Sequence, residues 1–354
     1  MKLVKHWRVI LLGAVVSALT IVLIVSQIEW DVLRASLAAA RFGYVFPAVI
    51  LLMLGLFARG QRWRVLLSDG LPYWRAFHIM NVAYLINNLL PFRVGEVARA
   101  FLATRARPPV PVPKSASTII VERLLDVLAV VLLLAYGLAL APVPAVLQQT
   151  GMLMGGVSLA GFLFLVVLSR QRETAHRLLN IFTARLRFLP DRRLARWLDQ
   201  FLDGLLPLAG VRPLLLALLW TGISWGFSAY AGYLLMFVFY SEPTFAATGI
   251  YIAAAAFAIA VPAVPGNLGT YELSIILALR GLGYAENETL AAFAVMVHLV
   301  NLLVNASLGV VGFIAEGVTV EELSQGVREV TESGMMESSV EPAIKPTNEV
   351  SKRV

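Results

Sequence analysis

NVAYLINNLLPFRVGEVAR, Asn81 to Arg99, is the stretch that decides how this chain is read. An apolar run ends at Pro91, and Arg93, Gly95, Glu96 and Arg99 follow at once. Proline has no backbone N–H and glycine relaxes the backbone, so a helix breaks where a membrane span would have continued. Non-helical backbone and charge at membrane depth are tolerated only against protein or a water-filled cavity. The stretch therefore predicts a broken or re-entrant helix whose tip, around Pro91 and Gly95, faces such a cavity.

The rest of the composition agrees with a membrane setting. Of 354 residues 59% are hydrophobic and only 14% charged, with a mean hydropathy of +0.78, which is too apolar for a soluble domain of this size. An all-α, polytopic membrane bundle is expected. There is no cysteine, which excludes disulfides, thiolate metal sites and a cysteine nucleophile and leaves the redox compartment undetermined. The net charge of +7 sits on no soluble basic module, so nucleic acid is not an expected partner. No H-E-x-x-H, P-loop or G-x-S-x-G occurs, so no metal, cofactor, ATP site or catalytic residue is expected.

Working outward, Lys2, Lys5 and Arg8 precede an uncharged run, Val9 to Ile28, too long for a signal-peptide core and followed by no A-x-A site. It is expected to be an uncleaved first span. A second span, about Tyr44 to Ala58, ends in Arg59, Arg62, Trp63 and Arg64, with Arg59 and Arg62 on one face at the cytoplasmic boundary. The broken segment then runs from about Ala76 to Leu90, turns at Pro91, and returns to about Thr104. A third span begins near Ser115 with Glu122, Arg123 and Asp126 in its first turns, and a fourth ends at Ser169. Residues 170–212 form a polar insert with Leu178, Leu179, Phe182, Leu186 and Leu189 at helical spacing beside Arg185, Arg192, Arg193 and Arg196. That pattern reads as a basic amphipathic helix on the anionic leaflet, with a solvated connector as the alternative.

A fifth span, about Pro213 to Tyr240, leads to a second broken segment: a limb from Thr244 to Val261, the tip VPAVPGNLGTYE ending at Glu272, and a return to about Leu282. Each of its limbs is also close to spanning length. The last span, Thr289 to Ala315, carries His298, Asn301 and Asn305 on one face. The expected architecture is thus about six full spans plus two broken segments in a membrane domain at 1–315, and an acidic, disordered tail at 316–354. In this topology 21 of the 29 Lys and Arg lie in cytoplasmic loops and the N-terminus, and three, Arg34, Arg41 and Arg280, lie outside. Both termini are then expected in the cytoplasm of a multi-pass cell-membrane protein. The two broken segments enter from opposite sides, and each tip holds P-x-x-x-G, Pro91 to Gly95 and Pro265 to Gly269, followed by Glu96 and Glu272. Paired interruptions in two halves are the sequence pointer to an inverted repeat with its site between the repeats.

Four ordered motifs carry a family resemblance: R-x-x-R-W at Arg59 to Trp63, N-x-L-P-F-R-x-G-E-x-x-R at Asn88 to Arg99, E-R-x-x-D at Glu122 to Asp126, and P-x-x-P-G-x-x-G-x-x-E at Pro262 to Glu272. Together they resemble the lysylphosphatidylglycerol synthase transmembrane, or flippase-like, family of bacterial and archaeal membrane proteins. The resemblance covers nearly the whole chain up to Ala315 and implies a lipid-handling membrane domain, fused in some members to a cytosolic aminoacyl-transferase. About forty residues follow Glu316, below ordinary domain size, so lipid aminoacylation by this chain alone is not expected.

Moving a phospholipid or polyprenyl phosphate between leaflets needs a polar route for the headgroup beside an apolar one for the tails. Arginine suits the phosphate, being permanently charged and bidentate. Arg59, Arg62, Arg93, Arg99 and Arg123 are the headgroup-binding candidates. Glu96, Glu122, Asp126 and Glu272 are candidates to pair with them in the empty site or to carry a coupling proton. Glu122 and Asp126 serve equally well as helix-to-helix ion pairs with Arg59, Arg62 or Arg123. Pro91, Gly95, Pro265, Gly266 and Gly269 are assigned to the tips, where the glycines serve backbone geometry first. His298, Asn301 and Asn305 read as an interhelical hydrogen-bonding face before a proton relay, and Trp63, Trp74, Trp220, Trp225 and the tyrosines as interfacial belt residues. The preferred function is a lipid translocator, not an enzyme. The alternatives are an integral membrane enzyme acting on lipid headgroups and a non-catalytic partner of a separately encoded lipid-modifying synthase.

Overall fold

A computed structural model describes residues 30–68, 70–90, 93–141, 145–171, 177, 191–260, 265–284 and 287–336. The first expected span and most of 172–190 lie outside them, as do Pro91 and the C-terminal residues from 337 onward. The regular secondary structure of the described residues is all helical, with no strand among them. In chain order the helices are α1 (Trp30–Ala39), α2 (Val45–Leu66), α3 (Tyr73–Leu89), α4 (Val94–Thr104), α5 (Val112–Leu140) and α6 (Ala145–Arg170). They continue with α7 (Asp191–Ala209), α8 (Val211–Met236), α9 (Phe245–Ala260), α10 (Thr270–Gly281), α11 (Asn287–Glu316) and α12 (Val320–Met336).

Proline sets several of these limits. Pro72 and Pro111 sit in extended conformation as the N-caps of α3 and α5, and Pro113 occupies the first turn of α5, where its missing N–H costs nothing. At the other ends, Leu90 and Ala141 are extended, as residues preceding a proline must be, so α3 stops before Pro91 and α5 before Pro142. Among the described residues three stretches are long and apolar enough to cross a membrane: Phe42–Leu66, Val211–Met236 and Thr289–Glu316. By contrast α4, with 11 residues, is only about 16 Å long at 1.5 Å per residue, and α10, with 12, about 18 Å. Neither reaches across a hydrocarbon core of about 30 Å. Both are short return limbs, as the broken segments require.

The helices pair in a pattern that survives exchange of the two halves. α2 runs along α8; α3 packs on α11 and α5 on α9; α3 folds back onto α4 and α9 onto α10; α4 leans on α5 and α10 on α11. Small residues permit the closest of these approaches. A Cβ on Gly312 would come 2.7 Å from the His78 carbonyl oxygen of α3, and one on Gly249 2.7 Å from that of Leu133 in α5. Among the described residues three apolar cores result, one around Tyr251, Ile275 and Phe293, one around Leu67, Phe77 and Met80, and one around Leu125, Phe162 and Leu205.

Three expectations change. The second span does not end at Ala58: α2 continues through Arg59, Arg62 and Trp63 to Leu66, so these side chains are carried into the bundle. Charged partners on α5 make that extension tolerable. The tail is not disordered from residue 316. Thr319 caps α12, its Oγ1 accepting from the Glu322 N–H at 3.2 Å while Glu322 accepts from the Thr319 N–H at 3.0 Å. Val318 and Leu323 are buried beside α4, and Gly326 makes room for the Phe101 ring. Within 170–212, the leucine positions 178–189 fall outside the described residues. The described part, α7, buries Leu202, Leu205 and Leu208 against α5 and α6 and so turns its apolar face to protein.

Candidate functional site

The two tips meet. Gly266, at φ 65° where a side chain is strained, lies beside α3, and a Cβ there would come 3.4 Å from the Asn88 carbonyl oxygen. Arg93 reaches the other way and donates to the Ile259 carbonyl oxygen near the end of α9 at 3.3 Å. Each broken segment therefore contacts the other at its turn. Between them lies a cavity of about 420 Å³. Its polar lining includes Arg59, Arg93, Arg123 and Asp126 together with Asn267, His298 and Asn305.

Both return helices start at this cavity in the same way. Arg93 is the N-cap of α4 at φ 52° and Gly269 the N-cap of α10 at φ 84°, both at positive φ, and Glu96 and Glu272 occupy the third position of their helices. The matched pair is therefore Arg93 with Gly269. The P-x-x-x-G alignment of Pro91–Gly95 with Pro265–Gly269 is two residues out of this register. Pro265 opens the short 3-10 turn Pro265–Asn267 instead. Gly95 has a separate role. Its N–H donates to Asn87 Oδ1 at 2.9 Å, and a Cβ there would fall on the Ala83 carbonyl oxygen, so only glycine lets α4 lie this close to α3.

The five candidate arginines divide into two groups. Arg62, with 0% exposure, holds Asp126 through NH1 at 2.6 Å and NH2 at 3.3 Å, and its Nε lies 3.6 Å from Glu122. Arg99, 2% exposed, donates to Glu122 Oε2 at 2.6 Å and lies 3.8 Å over the Trp63 ring. These two are sealed inside the bundle. Arg59, Arg93 and Arg123 face the cavity. Arg123 donates to Glu96 at 2.9 Å, and Arg93 stands 4.0 Å from the same carboxylate. Arg59 has no carboxylate at ion-pair distance among the described residues; its guanidinium sits over the Trp225 ring at 5.4 Å.

The carboxylates are all committed. Glu122 joins Arg62 and Arg99; Asp126 joins Arg62, accepts from Trp225 Nε1 at 3.0 Å and lies 3.9 Å from Arg123. Glu272 accepts from its own N-cap N–H, Gly269, at 2.7 Å, and its other oxygen lies 2.6 Å from His298 Nδ1. It is buried behind His298, whose ring packs on Tyr271 and lines the cavity. The polar face of α11 is accordingly a cavity wall: Asn301 and Asn305 line it too, although Asn301 donates to its own helix at Val297.

Several contributors went unread in the sequence. Trp63 and Trp225 are not belt residues: Trp63 is fully buried, donating to Thr118 at 3.1 Å, and Trp225 orients Asp126. Trp74 is exposed beside Tyr73 and Phe57. Tyr251 lines the cavity with a buried hydroxyl that has no hydrogen-bond partner, as has Asn88 Nδ2. The R-x-x-R-W spacing was the available signal for Trp63, since it places the ring one residue from Arg62; Tyr251, which the belt reading of the tyrosines put at the interface, is buried within its apolar limb. No group of three or more metal-ligating side chains occurs among the described residues.

The fold and this arrangement define a multi-pass membrane protein with a cation-lined cavity between two broken helices. More particularly, the family model for the lysylphosphatidylglycerol synthase TM region matches residues 10–309, and the chain belongs to that family. Its membrane domain is associated with lipid handling and flippase-like roles. A search of curated proteins found no match.

Proposed function

We propose that this chain moves a phosphate-bearing lipid, a phospholipid or a polyprenyl phosphate, between leaflets. The supporting observation is the meeting of the two tips at one cavity lined by Arg59, Arg93 and Arg123. Guanidinium donors suit a phosphate, and the N-termini of α4 and α10 add positive dipole ends at the same place. The exchange-symmetric helix pairing supports an inverted repeat, the architecture in which one half rocks against the other around a fixed midplane site. In this reading about six spans and two re-entrant segments carry the headgroup through the cavity while the tails stay in lipid. The Lys and Arg excess favours both termini in the cytoplasm of the cell membrane.

The test is reconstitution of the full chain in vesicles with labelled lipids. Movement of at least one phosphate-bearing lipid between leaflets is expected; failure with phospholipids and a polyprenyl phosphate alike overturns the reading. The Glu272–His298 pair favours a second reading, an enzyme acting on lipid headgroups with this pair as acid and base. That reading requires a chemically altered lipid in extracts of an overexpressing strain, read by mass spectrometry.

A further inference from the structure

The exchange of halves that relates the helix pairs also relates two ion pairs at the cavity. Glu96 and Glu272 are each the third residue of their helices, α4 and α10. Arg123 lies eleven residues beyond Val112, where α5 starts, and His298 eleven beyond Asn287, where α11 starts. The contact that joins α4 to α5, Arg123 Nε to Glu96 Oε1 at 2.9 Å, is thus the counterpart of the one that joins α10 to α11, His298 Nδ1 to Glu272 Oε1 at 2.6 Å. Arg123 and His298 both line the cavity. They differ in one chemical respect: arginine is always charged, whereas imidazole changes charge between about pH 5 and 8. From α10, His298 meets Glu272 and the Tyr271 ring, 4.6 Å away between centroids. The other titratable groups on the lining are Arg59 of α2, Tyr84 of α3, Arg93 at the first tip, Arg123 and Asp126 of α5, and Tyr251 of α9; α1 and α8 add none. Of these the arginines stay charged, tyrosine ordinarily ionises near about pH 10, and Asp126 is held by Arg62 at 2.6 Å. His78, on the neighbouring α3, lies beside Gly312, fourteen residues from His298 and so about 21 Å along α11.

We infer that His298, backed by Glu272, binds a proton that travels with the phosphate headgroup, an inference that rests on the translocator reading. Glu272 also accepts from the Gly269 N–H at 2.7 Å, which fixes it as an acceptor. Nδ1 then carries the hydrogen of the His298–Glu272 contact, and Nε2 keeps the lone pair that takes the added proton. That proton comes from the aqueous phase open to the cavity and leaves to the opposite phase when the cavity opens there; no other bond forms or breaks. With the proton on, the second half presents a cation held by a carboxylate, as Arg123 and Glu96 do in the first. The cavity then carries one positive charge more toward a phosphate, whatever the headgroup's own charge. With the proton off, that charge is gone and the headgroup is held less tightly. Coupling between two sites is reciprocal, so proton and headgroup favour each other's binding by the same factor. Partners that bind together cross together, and the lipid runs in the direction in which the proton runs.

The experiment reconstitutes the full chain in vesicles with an imposed pH gradient and follows tail-labelled phosphatidylglycerol and a tail-labelled polyprenyl phosphate, with protein-free vesicles subtracted. Whichever lipid moves should move at least about fivefold faster down the proton gradient than against it. His298→Arg, which makes the second pair a copy of the first, should abolish that difference, and His78→Gln should leave it intact. In nanodiscs, binding of the same lipid should weaken at least about fivefold from about pH 5 to about pH 8. His298→Arg should bind equally at both pH values, a result that separates a lost proton site from a merely damaged one. If His298→Arg does not fold, His298→Gln carries the gradient test. Movement that ignores the gradient, a gradient response that survives the His298 substitutions, or a folded His298→Arg that binds lipid at neither pH overturns this inference and leaves the translocator reading standing. No movement of either lipid under any gradient overturns the translocator reading and this inference with it.

Discussion

At the scale of single residues, what separates the arginines is whether each has a carboxylate that needs it. Removing one member of a buried pair leaves an uncompensated charge and costs about 3–5 kcal/mol. Glu122→Ala orphans Arg99 and leaves Arg62 with Asp126 alone, so its melting temperature in detergent should fall sharply. Arg59→Gln touches no ion pair and should leave stability within about 0.5 kcal/mol, as for substitutions away from buried networks, while weakening lipid binding. A double-mutant cycle on Arg99 and Glu122 measures the coupling directly. The sequence displayed all of these charges, and the i, i+4 spacing of Glu122 and Asp126 did foretell one shared face. It did not display which arginines they would take, because Arg99 and Arg62 lie on different helices and partner choice is set by how α2, α4 and α5 pack.

At the scale of elements, the broken segments were legible and their register was not. Charges and prolines in apolar runs located α3 with α4, and α9 with α10, to within a few residues. The correspondence of the tips had to come from backbone conformation, since Arg93 and Gly269 share a positive-φ N-cap position without sharing a residue type. Gly95→Ala should press α4 away from α3, at about 1–3 kcal/mol for overpacking, with loss of lipid binding larger than the loss of stability explains. A pair of cysteines replacing Asn88 and Asn267, clean in a chain with no native cysteine, should join through a short thiol cross-linker if the tips meet as described. The tail helix α12 was hidden because acidic residues dominate its composition, although T-V-E-E at Thr319 to Glu322 is a capping box. The Thr319 N–H holds the Glu322 carboxyl below the ordinary glutamate range. Its contribution is therefore present above the unfolded pKa and lost as pH falls through the folded one. Hydrogen exchange across 320–336 should quicken on acidification, and Glu322→Gln should remove that dependence.

For the whole molecule, composition alone fixed a helical membrane protein, since at this hydropathy few other chains are possible. The exchange-symmetric pairing of helices was only hinted at by two short interruptions, because contacts such as α3 with α11 join residues more than two hundred positions apart. That pairing puts one cavity where the halves meet, and the central claim is that a lipid phosphate passes through it. Leaflet exchange of a labelled phosphate-bearing lipid in vesicles, compared between the unaltered chain and Arg93→Gln at equal protein content, tests it most directly. The account predicts exchange by the unaltered protein and a loss of at least about tenfold, ~1.4 kcal/mol, in the variant. No exchange by the unaltered protein, or equal rates for the two, would contradict it.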